Sequence, residues 1–162
     1  MRRLASALTG AGLGIGDTVS VIAANTPEMF EAHFGVPMAG CVLNTINTRL
    51  EAETISYILE NSDCRVLIVD TAFAPAVVPA LESLPADVRK NIRVVDIRDA
   101  AMGDLAPVGD EDYESFIGAG DPDYDWQMPA DEWQALALGY TSGTSGRPKG
   151  VAYHHRGAYL MS

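Results

Sequence analysis

The stretch TVSVIAANTPEMFEAHFG, residues 18–35, changes its periodicity once, and that change decides the fold. Residues 18–24 form a short β-branched run, the pattern of a buried strand. Thr26 then stands where an N-cap belongs, and Pro27 suits the first helical position. Glu28 adds a carboxylate near the positive end of the helix dipole. A helix continues through EMFEAHFGVPMAG, which Pro37 is expected to end or kink. Strand then helix is the repeating step of an α/β layer.

The same step recurs on either side. Upstream, Leu4 and Leu8 at helical spacing, followed by Gly12 and Gly14, read as the end of an amphipathic helix. Arg2 and Arg3 ahead of an apolar stretch imitate a signal peptide. Thr9 and the glycines dilute that stretch, and a strand follows where a cleavage site would be needed. Downstream, CVLNTIN is a second extended segment. TRLE offers a capping box, Thr48 with Glu51, to a helix whose apolar stripe is Ile55, Ile58 and Leu59. RVLIVD (65–70) and IRVVDI (92–97) are strands, separated by the proline-interrupted helix PAVVPALESL. A loop-rich connection, residues 99–132, holds one short helix around DYESFI. ALALGY (135–140) is a further buried strand. This alternation predicts one α/β layered domain, a mainly parallel sheet with flanking helices.

Composition narrows the function classes. The 162 residues are 48% hydrophobic with a net charge of −11, which excludes nucleic acid and anionic membrane as main partners. No apolar run approaches the ~18 residues needed to span a bilayer. Cys41 and Cys64 are too few for a disulfide framework or zinc site and read as reduced thiols of a cytosolic protein. Charge is segregated. Residues 99–132 hold eleven acids and no Lys or Arg, whereas no acid follows Glu132. Arg147, Lys149, His154, His155 and Arg156 occupy that last segment, so a polyanion would be drawn there.

Three motifs fail on spacing or context. GAGLGIG (10–16) has Ile15 where a dinucleotide fingerprint needs its third glycine, and it precedes its strand instead of following it. Asp121, Asp123, Asp125 and Glu132 match the acidic positions of a calcium loop. Trp126, however, stands where the sharp turn needs glycine. His33 has no second ligand-type residue at helical spacing and reads as a packing or surface residue.

The run YTSGTSGRPKGV (140–151) lies between an apolar strand and the β-like GVAY, a setting foreign to a flexible linker. Gly143 and Gly146 let backbone N–H groups turn toward an anion. Thr141, Ser142, Thr144 and Ser145 supply hydroxyl donors. Lys149 supplies a fixed cation, and Arg147 a second. The lysine follows a proline and precedes Gly150 and Val151, so no helix opens there and no hydroxyl follows it. This excludes a Walker loop and predicts a phosphate loop that returns through a hairpin.

In the order of its hydroxyls, glycines and Pro-Lys-Gly, the run resembles the phosphate-loop signature of the acyl-adenylate-forming (AMP-binding) enzymes. Ser145 departs mildly, standing where threonine is commoner. GDTVSVIAANTPEMFEAHFGVPMAGCVLNTINTRL and AYHHRGAYL resemble the acyl-CoA synthetase branch, including ligases of short- and medium-chain acids and methylthio-propionate. The resemblance implies a two-step ligase. A carboxylate attacks the α-phosphorus of ATP to give acyl-AMP and pyrophosphate, and the thiol of CoA then takes the acyl group. Ser142, Gly143, Thr144, Ser145, Gly146 and Lys149 would line the β- and γ-phosphates, and Thr141 would help hold Mg²⁺. None is an acid–base catalyst.

The resemblance also implies that residues 1–162 are an incomplete part of a large N-terminal domain. The adenine, ribose and remaining magnesium motifs would lie beyond Ser162, and the parent would be a cytoplasmic ligase, homodimeric in assembly. A non-catalytic nucleotide-binding module is the competing reading. The fragment alone is expected not to complete adenylation.

Overall fold

The computed structural model describes residues 1–99, 102–103, 105–141 and 146–162. Helix α1, Arg2–Gly10, leads into strand β1, Thr18–Ile22, and helix α2, Pro27–Met38. Strand β2, Val42–Thr45, is followed by α3, Ala52–Asn61, and β3, Cys64–Asp70. A 3₁₀ turn, Thr71–Phe73, opens α4, Ala74–Glu82. The short α5, Ala86–Arg89, precedes β4, Arg93–Ile97. After the acidic connection come β5, Glu111–Asp112, α6, Tyr113–Gly118, β6, Ala135–Thr141, β7, Lys149–His154, and α7, His155–Met161.

The strands form one seven-stranded sheet in the order β5-β4-β3-β1-β2-β6-β7. Every pairing is parallel except the last, β6 with β7. Strand alternation sorts the apolar residues onto two faces. Val19, Val21, Val66, Ile68 and Val95 join Leu4 and Leu8 of α1, Val36 of α2 and Phe116 of α6. Ile22, Leu67, Val69 and Val94 join Ile55, Ile58 and Leu59 of α3 and Val77 and Leu81 of α4. The layered α/β expectation is met, with helices on both faces.

Pro37 sits inside the last turn of α2, which ends one residue later, at Met38. Gly40 closes the helix with φ +77. Its N–H donates to the Pro37 carbonyl at 2.9 Å, and that of Cys41 to the Val36 carbonyl at 3.2 Å. These paired bonds satisfy the orphan carbonyls in a conformation that only glycine adopts cheaply. Gly12 closes α1 in the same way, through bonds to Thr9 and, from Leu13, to Leu8. Pro79 likewise lies within a continuous α4.

The capping box does not form. The N-cap of α3 is Glu51. The preceding segment instead makes a turn, with the Asn47 side chain accepting from the Arg49 N–H at 2.9 Å, so the helix begins after Glu51. Thr26 does occupy the N-cap of α2, although its side chain makes no cap bond. Strand β6 is half-buried where a buried strand was expected, because its neighbour β7 is exposed.

Candidate functional site

Strands β6 and β7 form the predicted hairpin, with Thr141 directly opposite Lys149 and Tyr140 opposite Gly150. Residues directly opposite in an antiparallel pair share a face, and their β-carbons approach to roughly 5 Å. The Tyr140 ring packs against the α3–α4 cluster. Thr141 and Lys149, one step along the alternation, therefore project to the other face, that of α1 and α2. Both are exposed, and Lys149 has no ion pair among the described residues. Because β6 runs parallel to β2, Thr141 stands at the carboxyl edge of the sheet, where open α/β sheets receive ligands.

Gly146 re-enters the described chain with φ +129, in the region that disfavours any side chain. Ser142, Gly143, Thr144 and Ser145 lie outside the described residues. Of the seven predicted site residues, the structure therefore brings together Thr141 and Lys149 and places Gly146 on the return between them. A hydroxyl, a cation and a glycine turn on an open face can hold a polyanion by charge and by backbone N–H groups.

The other basic residues have different partners. The Arg147 guanidinium lies 5.2 Å from the centre of the Tyr57 ring on α3. Arg156 pairs with Glu132, and its guanidinium lies 5.9 Å from the Trp133 ring. His154 caps α7, its Nδ1 accepting from the Gly157 N–H at 2.9 Å. Burial lowers the pKa of His155 below its ordinary value, which keeps that imidazole neutral at pH 7. The basic stretch thus narrows to Lys149.

Sequence reasoning missed the contribution of α3. Tyr140 donates its hydroxyl proton to Asn61 Oδ1 at 2.8 Å, and burial raises the phenol pKa, keeping it a neutral donor. No local signal marks Tyr57 or Asn61, since both meet the hairpin only through the fold. A cavity of about 640 Å³ beneath Pro148 is lined by Glu53, Tyr57, Glu60 and Arg147. Its carboxylates make it a poor seat for phosphate.

A separate crevice of about 380 Å³ opens at the carboxyl ends of β1 and β2, lined by Asn25, Met29, His33, Thr45 and Asn47. His33 Nδ1 lies 2.7 Å from the Met29 carbonyl oxygen and, since a carbonyl only accepts, donates its proton there. Burial pushes the Cys41 thiol up to about 12 and that of Cys64 up to about 11, leaving both unreactive near neutrality. The Asp121 carboxylate serves a local turn, accepting from the Asp123 N–H at 2.8 Å.

A model of the family described as AMP-binding enzyme matches residues 1–161. Among curated proteins, an acetate/butyrate–CoA ligase of Arabidopsis thaliana, named as peroxisomal, is 46% identical over 99% of this chain and 30% of its own length. An acetate–CoA ligase of Humulus lupulus is 44% identical over 99% and 30% of the respective chains. A 2-methylpropanoate–CoA ligase, also of Humulus lupulus, is 40% identical over 98% of this chain and 29% of its own length. The anthranilate–CoA ligase AuaEII, solved with anthranoyl-AMP, superposes with a TM-score of 0.78 at 26% identity, over 96% of this chain and 28% of that one. The inhibitor-bound N-terminal domain of FACL13 from Mycobacterium tuberculosis superposes with a TM-score of 0.73 at 28% identity, over 95% and 35%. The chain spans about 30% of the length of the curated relatives it matches.

Proposed function

The chain belongs to the AMP-binding enzyme family and has the layered α/β fold of its N-terminal domain, and from that premise we propose that it carries the phosphate grip of an ATP-dependent acyl-CoA ligase. The observation that carries this reading is the placing of Thr141 opposite Lys149 on the open face at the carboxyl edge of the sheet. Lys149, Gly146 and the hydroxyls and N–H groups of residues 141–145 hold the β- and γ-phosphates of ATP. Their task is electrostatic: negative charge that builds on departing pyrophosphate meets donors already in place. Thr141 offers one hydroxyl oxygen to Mg²⁺, a fit to an ion that keeps several waters and binds largely through substrate phosphates.

The parent activates a carboxylic acid as acyl-AMP and passes it to CoA. Relatives named for acetate, butyrate and 2-methylpropanoate favour a short acid over a long fatty one. Residues 1–162 are read as part of a large N-terminal domain, with the phosphate loop at 140–151. A cytoplasmic location stays a proposal, since one relative is named peroxisomal; cell fractionation decides it. Homodimeric assembly of the parent is likewise a proposal, which sedimentation tests.

Titration calorimetry with MgATP tests the grip. Lys149→Ala is expected to weaken binding by about 10–100-fold, the loss of one charge-assisted contact. Equal affinity of the variant and the natural chain would overturn the assignment. Acid-dependent ATP–pyrophosphate exchange by a full-length ligase carrying this segment tests the chemistry. Nucleotide binding without exchange would leave only the non-catalytic module.

A further inference from the structure

Burial does not fix the register of β7, because the strand is exposed on both faces and pairs only with β6 among the described residues. The strands are joined by residues 142–148, too many for the two-residue turn that aligns a hairpin. They pair in two registers. From Thr141 back to Ala137 the pairing is the one that sets Thr141 opposite Lys149, whereas Ala135 faces His154, one residue out of step. The His155 N–H, donating to the Gln134 carbonyl at 3.2 Å, lies in that second register. Carried through to the loop, the second register would set Lys149 opposite Tyr140. Its side chain would then turn to the α3–α4 face, away from Thr141.

Two glycines stand where the first register holds. Tyr140 faces Gly150, and a β-carbon there would meet Leu138 Cδ1 at 3.2 Å and Tyr140 Cζ at 3.4 Å. On the other face of the hairpin, a β-carbon at Gly139 would meet Tyr153 Cε2 at 3.3 Å. Each bare glycine thus seats a tyrosine ring from the opposite strand, one pair on each face. A slip of one residue would bring Lys149 or Val151 opposite Tyr140, with a side chain in the space its ring occupies. Glycine–aromatic pairs of this kind pin the register of edge strands.

We propose that Gly139 and Gly150 are positioning residues for Lys149, seating Tyr153 and Tyr140 so that the register holding Lys149 beside Thr141 prevails over that of the far end. The inference rests on the phosphate-grip reading and deepens it, since the winning register decides which side of the sheet the lysine serves. The two registers meet between Ala135 and Ala137, and one-residue offsets in a strand pair are a common means of re-aiming a side chain beside an active site.

Cross-strand Hα–Hα and amide–amide nuclear Overhauser contacts of the 162-residue chain read the register directly, without nucleotide. The natural chain should show Leu138 facing Ala152 and Gly139 facing Val151. Gly139→Val combined with Gly150→Val fills both seats, and the pairing should shift to Leu138 facing Val151. The MgATP affinity of the same variant should fall about as far as that of Lys149→Ala, about 10–100-fold. A merely structural role would lower the melting temperature and leave native pairing in the molecules that fold. Should the double variant fail to fold, Tyr153→Ala empties one seat at a half-exposed side chain, and contacts between Leu138 and Val151 should appear beside the native ones. Native pairing alone in the folded double variant, or in Tyr153→Ala where that replaces it, overturns the register role and leaves the grip intact. Shifted pairing with natural affinity, beside a loss in Lys149→Ala, overturns the link to Lys149. Natural affinity in Lys149→Ala overturns the grip, and the inference falls with it.

Discussion

Asp96 is fully buried on β4, an unusual place for a carboxylate. Its Oδ1 accepts from the Gly109 N–H at 3.0 Å and its Oδ2 from the Val108 N–H at 3.1 Å, while Arg98 approaches Oδ2 at 3.8 Å. These bonds bring the end of the acidic connection back to the sheet, where β5 then pairs with β4. Asp96→Ala would strand two backbone donors and should lower unfolding free energy by about 1–3 kcal/mol in urea titrations. A pH effect accompanies it. Burial raises the Asp96 pKa, and the two N–H bonds and Arg98 only partly oppose this. A carboxyl whose native pKa is raised contributes stability that is full below its ordinary value of 3.8 and is lost as pH climbs through the native value. Asp96→Asn removes this titration. The stability of the natural chain relative to Asp96→Asn should therefore fall as pH rises from about 4 toward 7. A flat difference across that range would refute the assignment.

Among the elements, α1 and α2 cross where Gly35 meets Leu4. A β-carbon at Gly35 would lie 2.8 Å from Leu4 Cδ2 and 3.0 Å from its Cβ and Cγ. Leu4 is wholly enclosed, so its side chain has no solvent into which to retreat. Gly35→Ala should then cost about 1–3 kcal/mol through overpacking. Leu4→Ala should cost about 2–5 kcal/mol through the cavity it leaves. In the double variant the new methyl enters that cavity, so the combined loss should be smaller than the sum of the two. Additive losses in the same denaturation series would show that the helices do not meet there. Gly12 was legible because it acts within its own helix end, where a few residues decide the bonding. Pro37 marked the end of α2 to within one residue, since a proline cannot continue the helical bonding and the helix stops at Met38. Thr48 and Glu51 had cap-forming side chains at cap-forming spacing, but the competing turn at Asn47 took the segment first.

At the scale of the whole molecule, the sheet was legible because 65–70 and 92–97 are short, nearly continuous apolar runs set between helical segments, the pattern of strands covered on both faces. The site was half legible. The order of hydroxyls, glycines and Lys149 announced a phosphate loop, but its seat on Tyr57 and Asn61 joins positions roughly 80 or more apart, which no local pattern encodes. The same geometry predicts a gradient of stability across the sheet. Strand β1 is buried along its whole length between β2 and β3, whereas β7 is an exposed edge strand and α7 buries no residue. Amides shielded on both faces exchange only when most of the domain opens, while those of a one-sided edge exchange through local fraying. Native-state hydrogen exchange should therefore protect β1, β3 and β4 most, β6 less, and β7 and α7 least. MgATP, if gripped between Thr141 and Lys149, should slow exchange at the start of β7 and leave the rate in β1 unchanged. Protection of β7 equal to that of β1 without nucleotide would mean that the hairpin is held by more than its pairing with β6 and its ties to α3.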